Sequence, residues 1–230
     1  RRRIYRTLRT ENYMTAATTT SSEKRQSIIS ACLEMNKTGI NQGTSGNISV
    51  RDGEGMLITP TSLPYSEMTE DDIVWMGFDG SRDGGRQPSS EWQFHLDIMK
   101  AKPEVNAIVH AHPMAGTTLS IMEKSIPPLH YMIAICGGSD IRCAPYATFG
   151  TKELSDNALA ALEGRTACLL AHHGMIATGN SLSKAMWLAV EVETLAKQYL
   201  GCLPFGEPPL LSEEEIQNVI SRMAGYGHAG

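Results

Sequence analysis

Apolar residues recur along this chain in two periods, and the switches between them divide it into elements. From Ser22 onward Ile28, Cys32 and Met35 fall at i, i+4 and i+7 with Ile29 and Ala31 beside them, which predicts a helix with one apolar stripe. Gly39 supplies the left-handed stop that helices favour. Asn47 to Val50 and Met56 to Thr59 flank Arg51-Asp-Gly-Glu-Gly, and an Asp-Gly turn between two short runs predicts a β-hairpin. Ile73 to Met76 reads as another strand, closed by Asp79-Gly80. Ser89 and Ser90 offer N-cap hydroxyls to a helix from about Glu91 to Lys100, with Glu91 in its first turn and Pro103 beyond its end.

Val105 to His112 reads as a strand, with Pro113 at the N1 position of a helix to about Lys124 and a further strand over Tyr131 to Ile135. A helix over 152–163 stops at Gly164. Thr166 to Ala171 is an apolar strand running into His172-His173-Gly174, and Met175-Ile-Ala returns beside it. A long helix over 183–200 follows, then a capping box from Ser212 to Glu215 opens a last helix before a glycine-rich tail that carries Tyr226. Several strand pairs are joined too tightly for parallel crossovers. The pattern therefore predicts a single α/β domain over residues 23–230, with a central, largely antiparallel sheet flanked by helices.

Residues 1–22 differ from the rest. The first twenty hold five Arg, six Thr and one acid without an apolar secretory core, and Met14 opens a start of ordinary composition, so this segment is expected to be a disordered or vector-derived extension. The whole chain carries a net charge of -5, and without the five Arg and Glu11 of residues 1–13 the remainder stands at -9. Nucleic acid and anionic membrane are accordingly not expected partners, since both need clustered Lys and Arg. No apolar run approaches the ~18 residues of a membrane span. Five cysteines, odd in number and without a C-x-x-C pair, fit neither a disulfide framework nor a zinc ribbon and point to a reducing cytoplasm.

The chemistry concentrates in histidines. His110 and His112 stand two apart at a strand end, so alternation puts both imidazoles on one face, and His172 or His173 ends a second strand in the same way. Three imidazoles with an open fourth position are the ligand set of a catalytic zinc site. Histidines at strand ends are also satisfied by ordinary hydrogen bonds, and spacing does not choose between His172 and His173. Glu91 reads either as a partner of the helix dipole or as a general base beside a metal. Gly43-Thr-Ser-Gly-Asn-Ile-Ser and Thr59-Pro-Thr-Ser are turns that also present hydroxyls and amides of the kind that cradle phosphate.

These segments, in this order, resemble the class II aldolase/adducin family: Ile40-Asn-Gln-Gly-Thr-Ser-Gly-Asn-Ile-Ser-Val-Arg, Met56-Leu-Ile-Thr-Pro-Thr, Pro88-Ser-Ser-Glu-Trp-Gln-Phe-His, His110-Ala-His, Ile126-Pro-Pro-Leu-His-Tyr-Met-Ile-Ala, Ala144-Pro-Tyr-Ala-Thr-Phe-Gly-Thr and His172-His-Gly-Met-Ile-Ala. The similarity spans about residues 23 to 227. It implies that His110, His112 and His173 bind Zn²⁺ and that Glu91 is the catalytic acid/base. It matches Thr44, Asn47, Thr61, Ser62, Ser89 and Ser90 to the family's phosphate pocket, Tyr131 to a tyrosine supplied by a neighbouring subunit, and Phe149 and Tyr226 to residues that close over substrate.

The activity so implied is zinc-dependent, reversible cleavage of a ketose 1-phosphate, such as L-fuculose 1-phosphate, to dihydroxyacetone phosphate and a small aldehyde. A homotetramer with sites at subunit interfaces is implied with it. Other members dehydrate or epimerise sugar phosphates, or serve as metal-free binding modules. The epimerases carry Asp where this chain has Glu91, and the binding modules lack the full ligand set. One departure stands out: Thr61-Ser-Leu-Pro-Tyr replaces the Thr-Gly-Ile-Pro-Tyr of the fuculose-phosphate-cleaving members, adding a hydroxyl to the phosphate loop.

Overall fold

The computed structural model describes residues 20–83 and 85–226, with side chains as far as Met223. The first helix, α1 (Ser21–Thr38), starts just ahead of the expected Ser22, because Thr20 caps it: its hydroxyl accepts from the Glu23 amide at 3.2 Å while Glu23 accepts from the Thr20 amide at 2.7 Å. Gly39, at φ 75°, closes it as expected. Residues 1–19 of the segment read as an extension lie outside the described residues.

Seven strands follow: β1 (Asn47–Asp52), β2 (Gly55–Ile58), β3 (Val74–Gly77), β4 (Ala107–Ala111), β5 (Cys143–Ala144), β6 (Ala167–Leu170) and β7 (Gly174–Gly179). They form one sheet in the order β3-β2-β1-β4-β7-β6-β5, antiparallel throughout except for the β5–β6 pair. The predicted α/β architecture stands. Five further helices complete it: α2 (Trp92–Ala101), α3 (Met114–Ile121), α4 (Lys152–Ala161), α5 (Leu182–Cys202) and α6 (Glu213–Tyr226).

Alternation along the strands gives the sheet two apolar faces. Ile48 and Val50 of β1, Val109 of β4, Leu169 of β6 and Ala177 of β7 join the core beneath α1, α3 and α5. Ile108, Cys168 and Ile176 point the other way, into a core with Phe94, Ile98 and Leu154 from α2 and α4. Fully burying an aliphatic side chain contributes about 1.5–3 kcal/mol, so both faces hold the sheet rigid. On the α2 side that apolar alternation is interrupted by Asn47, Ser49 and His110, all 5% exposed or less. No helix among the described residues is long and apolar enough to cross a membrane.

Several expectations need correction. Tyr131 to Ile135 is not a strand but the start of a 3-10 turn, Tyr131–Cys136, because β5 already holds the sheet edge beside β6. His130 caps that turn by accepting from the Met132 amide, and Ile133, Ala134 and Cys136 are buried from it. Pro113 is the N-cap of α3 rather than its first helical residue, and the helix stops at Ile121. The strand expected over Val105 to His112 contracts to Ala107–Ala111. Tyr226 is the last residue of α6, not part of a tail, and its side chain lies outside the described residues.

Candidate metal centre and adjoining cleft

β4 runs through the middle of the sheet, and its alternation sends His110 to the α2 side with its ring fully buried. His112 follows two residues later, just beyond the strand. The third imidazole comes from the turn between β6 and β7, where His172 takes a left-handed φ of 54° and the His173 amide donates to the Leu170 carbonyl at 3.0 Å. That reversal swings His172 outward to Glu123, 3.1 Å away on the surface, and His173 inward. Only glycine fits at position 174: a Cβ there would stand 2.6 Å from the Ala111 carbonyl oxygen and from the His112 ring.

Three imidazole rings thus meet with centroids 4.8, 4.9 and 5.0 Å apart. Glu91 joins them, its Oε2 3.1 Å from His110 Nε2 and its Oε1 2.9 Å from His173 Nε2. One potential ligand atom from each of the four residues lies within 4.8 Å of the others. Glu91 is the N-cap residue of α2 rather than a first-turn residue, and its side chain makes no bond to the helix amides. The serines expected to cap divide: the Ser89 hydroxyl accepts from the Glu91 amide at 3.3 Å, and Ser90 instead lines the cleft.

The donor set fits a divalent ion that favours imidazole. His110 Nδ1–H donates to the Met175 carbonyl at 2.9 Å, which fixes the ring's tautomer and leaves the Nε2 lone pair for a ligand. That lone pair faces His112 Nε2 at 2.9 Å, where only a shared proton or a cation relieves the repulsion. Burial, then the neighbouring His110 and His173, push His112 down to about 3, so it is neutral and ligand-ready at ordinary pH. Burial alone would raise Glu91, but the neighbouring His110 and His173, when they carry protons, outweigh it and hold the carboxyl below the usual range. Glu91 Oε1 is buried and accepts no well-aligned hydrogen bond, despite its closeness to His173.

A cleft of about 160 Å³ opens beside this cluster, lined by Thr44, Ser45, Asn47, Thr61, Ser62, Ser89, Ser90 and Glu91. All six residues matched to a phosphate pocket therefore share one wall-to-wall space. Ser62 sits at φ 56°, a left-handed conformation that suits the glycine it replaces in the resemblance. Ser45, Ser90 and Glu91 also border a second hollow of about 330 Å³ with His112, Tyr146, Phe149, His172 and His173. The two hollows adjoin along Ser45, Ser90 and Glu91 as one groove, with His112 and His173 on the wall of the second.

Tyr131 is not brought there. Half-exposed, it lines a separate apolar cleft with Trp187, Ile220 and Met223. Ser45, Tyr146 and the buried His95 were missed by sequence reasoning. A histidine inside the apolar helical run Phe94-His-Leu was the available signal for the last.

The sequence profile of the Class II Aldolase and Adducin N-terminal domain matches residues 26–200. The chain is 52% identical over 201 residues to the L-fuculose phosphate aldolase of Escherichia coli (strain K12), covering 87% of this chain and 94% of that one. It is 51% identical over 203 residues to the 5-methylthioribulose-1-phosphate/5-deoxyribulose-1-phosphate aldolase of Rhodospirillum rubrum, covering 88% and 92%. Among solved structures, an L-fuculose 1-phosphate aldolase superposes with a TM-score of 0.86 at 41% identity, covering 90% of this chain and 98% of the other.

Proposed function

The chain belongs to the class II aldolase and adducin family, and from that premise we propose that it is a zinc-dependent aldehyde-lyase. It reversibly cleaves a ketose 1-phosphate, L-fuculose 1-phosphate or a near analogue, to dihydroxyacetone phosphate and a small aldehyde. The observation that carries this reading is the convergence of His110, His112, His173 and Glu91 beside a hydroxyl-lined cleft. A binding module without chemistry has no use for four buried or half-buried ligands aimed at one point.

His110, His112 and His173 would hold the ion, which supplies Lewis acidity to the substrate's carbonyl and hydroxyl oxygens. Thr44, Asn47, Thr61, Ser62, Ser89 and Ser90 grip the phosphate through hydroxyls and amides, binding energy remote from the bond that breaks. Glu91 takes or returns the proton at C3 of dihydroxyacetone phosphate. Tyr131, placed away from the groove of its own subunit, serves the groove of a neighbour and exchanges a proton with the aldehyde oxygen; a homotetramer follows from that role. Phe149 and Tyr226 close over the aldehyde end. The five unbridged cysteines support a cytoplasmic setting.

The Rhodospirillum rubrum relative favours a second reading within the same chemistry, with a 5-deoxypentulose or methylthiopentulose 1-phosphate as substrate. Turnover of a panel containing L-fuculose, 5-deoxyribulose and methylthioribulose 1-phosphates by zinc-loaded protein tests both. We expect dihydroxyacetone phosphate from at least one of them. None from any would sink the aldolase reading, and a dehydrated product would favour the dehydratases.

A further inference from the structure

Among the described residues His95 is the one fully buried histidine outside the ligand cluster. It lies in α2, one turn beyond Glu91, stacked on Phe94 at 4.6 Å between ring centres, and Phe94 in turn meets His110 edge-on. Both of its nitrogens are engaged. Nδ1 is 2.7 Å from the Ser49 hydroxyl, and Nε2 is 2.6 Å from Asn47 Oδ1. Asn47 and Ser49 are two apart on β1, so alternation turns both side chains toward α2.

The direction of each bond follows from the last. Asn47 Nδ2 donates to Glu91 Oε2 at 2.9 Å, since a carboxylate only accepts. Asn47 Oδ1 is therefore the acceptor end of the amide and must receive the Nε2–H of His95. Nδ1 is left bare and receives the Ser49 hydroxyl proton. All three hydrogen bonds point toward Glu91, in a dry setting where each polarises the next.

We propose that His95 is a positioning residue: through Asn47 it fixes Glu91 Oε2 as a permanent acceptor, so that Oε1, outside this chain of donors and facing His173 Nε2 at 2.9 Å without a well-aligned hydrogen bond, is the oxygen that takes the substrate proton. Without the His95 donor, Asn47 Oδ1 is buried and unsatisfied, and its amide is free to turn. The turned amide sets oxygen against oxygen at Glu91 and drives the carboxylate off its line. This role rests on Glu91 being the base of the proposed reaction.

The test compares His95→Leu with His95→Gln in zinc-loaded protein. The Leu variant should keep its metal content and its KM for the ketose phosphate. Its kcat, and its exchange of the C3 proton of dihydroxyacetone phosphate with solvent deuterium, should fall about 10- to 100-fold, the usual cost of losing an outer partner. The Gln variant, whose amide N–H reaches the same way, should recover most of that loss. A merely structural histidine would instead lower folded yield and metal content with the rate per metal-loaded site unchanged, and that result overturns the proposal.

Should the Leu variant fail to fold, Ser49→Ala carries the comparison, with a few-fold loss expected; an unchanged rate overturns the chain of donors. Nitrogen NMR of histidine-labelled, zinc-loaded wild type separates this inference from the aldolase reading. His95 should be protonated at Nε2 and bare at Nδ1 whether or not any aldol substrate turns over. The opposite tautomer refutes the inference even in an active aldolase, whereas wild-type protein with the expected tautomer and no exchange at C3 refutes the aldolase reading instead.

Discussion

At the metal end of the groove, His110 is wholly buried and Glu91 is 5% exposed, and both are carried on regular structure or at its boundary. At the outer end Tyr146 and Phe149 are 59% and 63% exposed, on the segment between β5 and α4. His110 is anchored in β4 and Glu91 at the start of α2, between packed layers, while His112 and His173 stand on the short segments just past β4 and β6. The outer end is open to solvent and makes few bonds of its own. On the function proposed above, the rigid end would place the proton and the ion and the open end would select the aldehyde, where change costs the fold least.

The sharpest way to break this division is to remove the metal. Chelation should reduce turnover to background and Zn²⁺ should restore it, because three imidazoles suit a borderline-soft ion. His110→Ala should lose zinc by elemental analysis, while His172→Ala, the outward neighbour, should keep it. Full turnover by metal-free protein ends the reading of this region.

Next in size is Glu91→Gln, which keeps zinc and substrate but should lower deuterium wash-in at C3 by about 10²–10⁴-fold, as an amide is no base at neutral pH. Near wild-type exchange would leave Glu91 with only an electrostatic role. Tyr131→Phe tests the open end, with a loss of about 10²-fold. Mixing it with Glu91→Gln protein under subunit exchange should restore about a quarter of sites, if the interface is head-to-tail. No activity above the single-variant background, with exchange proven by mass spectrometry, places Tyr131 outside the chemistry.

The smallest effect is expected in the phosphate loop. Ser62→Gly relieves a left-handed side chain and should stabilise the protein by up to about 1 kcal/mol in denaturant titration. The lost hydroxyl should raise KM for phosphorylated substrate with kcat little changed. A gain in affinity would mean that Ser62 obstructs the pocket.

The sequence made the sheet's antiparallel character and the His110/His112 pair legible, because alternation is a local rule that buried strands obey. His173 was not separable from His172 on spacing: β6 ends at Leu170, and past it the backbone turns through a positive φ where alternation no longer applies. The family resemblance chose His173, and it is this ring that turns inward, toward His110, His112 and Glu91. Tyr131 to Ile135 misled because a short apolar run reads the same in a strand and in a turn packed on a core, and only the occupancy of the sheet edge by β5 decides. Asn47 and Ser49 lie on β1 and His95 stands 46 residues beyond Ser49 on α2, so their chain of bonds appears only once β1 lies against α2.

Chain order and strand order part company at the centre of the sheet. β4 pairs on one side with β1, made earlier, and on the other with β7, so that His110 meets a carbonyl 65 residues further on. A growing chain can lay down β3-β2-β1-β4 as a Greek key, β4 returning beside β1, with Glu91, His110 and His112 made, before His173 exists. The full ligand set comes only with the longest-range strand pairing of the sheet, and such pairings are slow to close. An ion held by all three histidines therefore favours the closed seam over every state in which β6 and β7 have come away. Loading with zinc should raise amide-exchange protection along β7 while leaving β3, at the sheet's far edge, as it was.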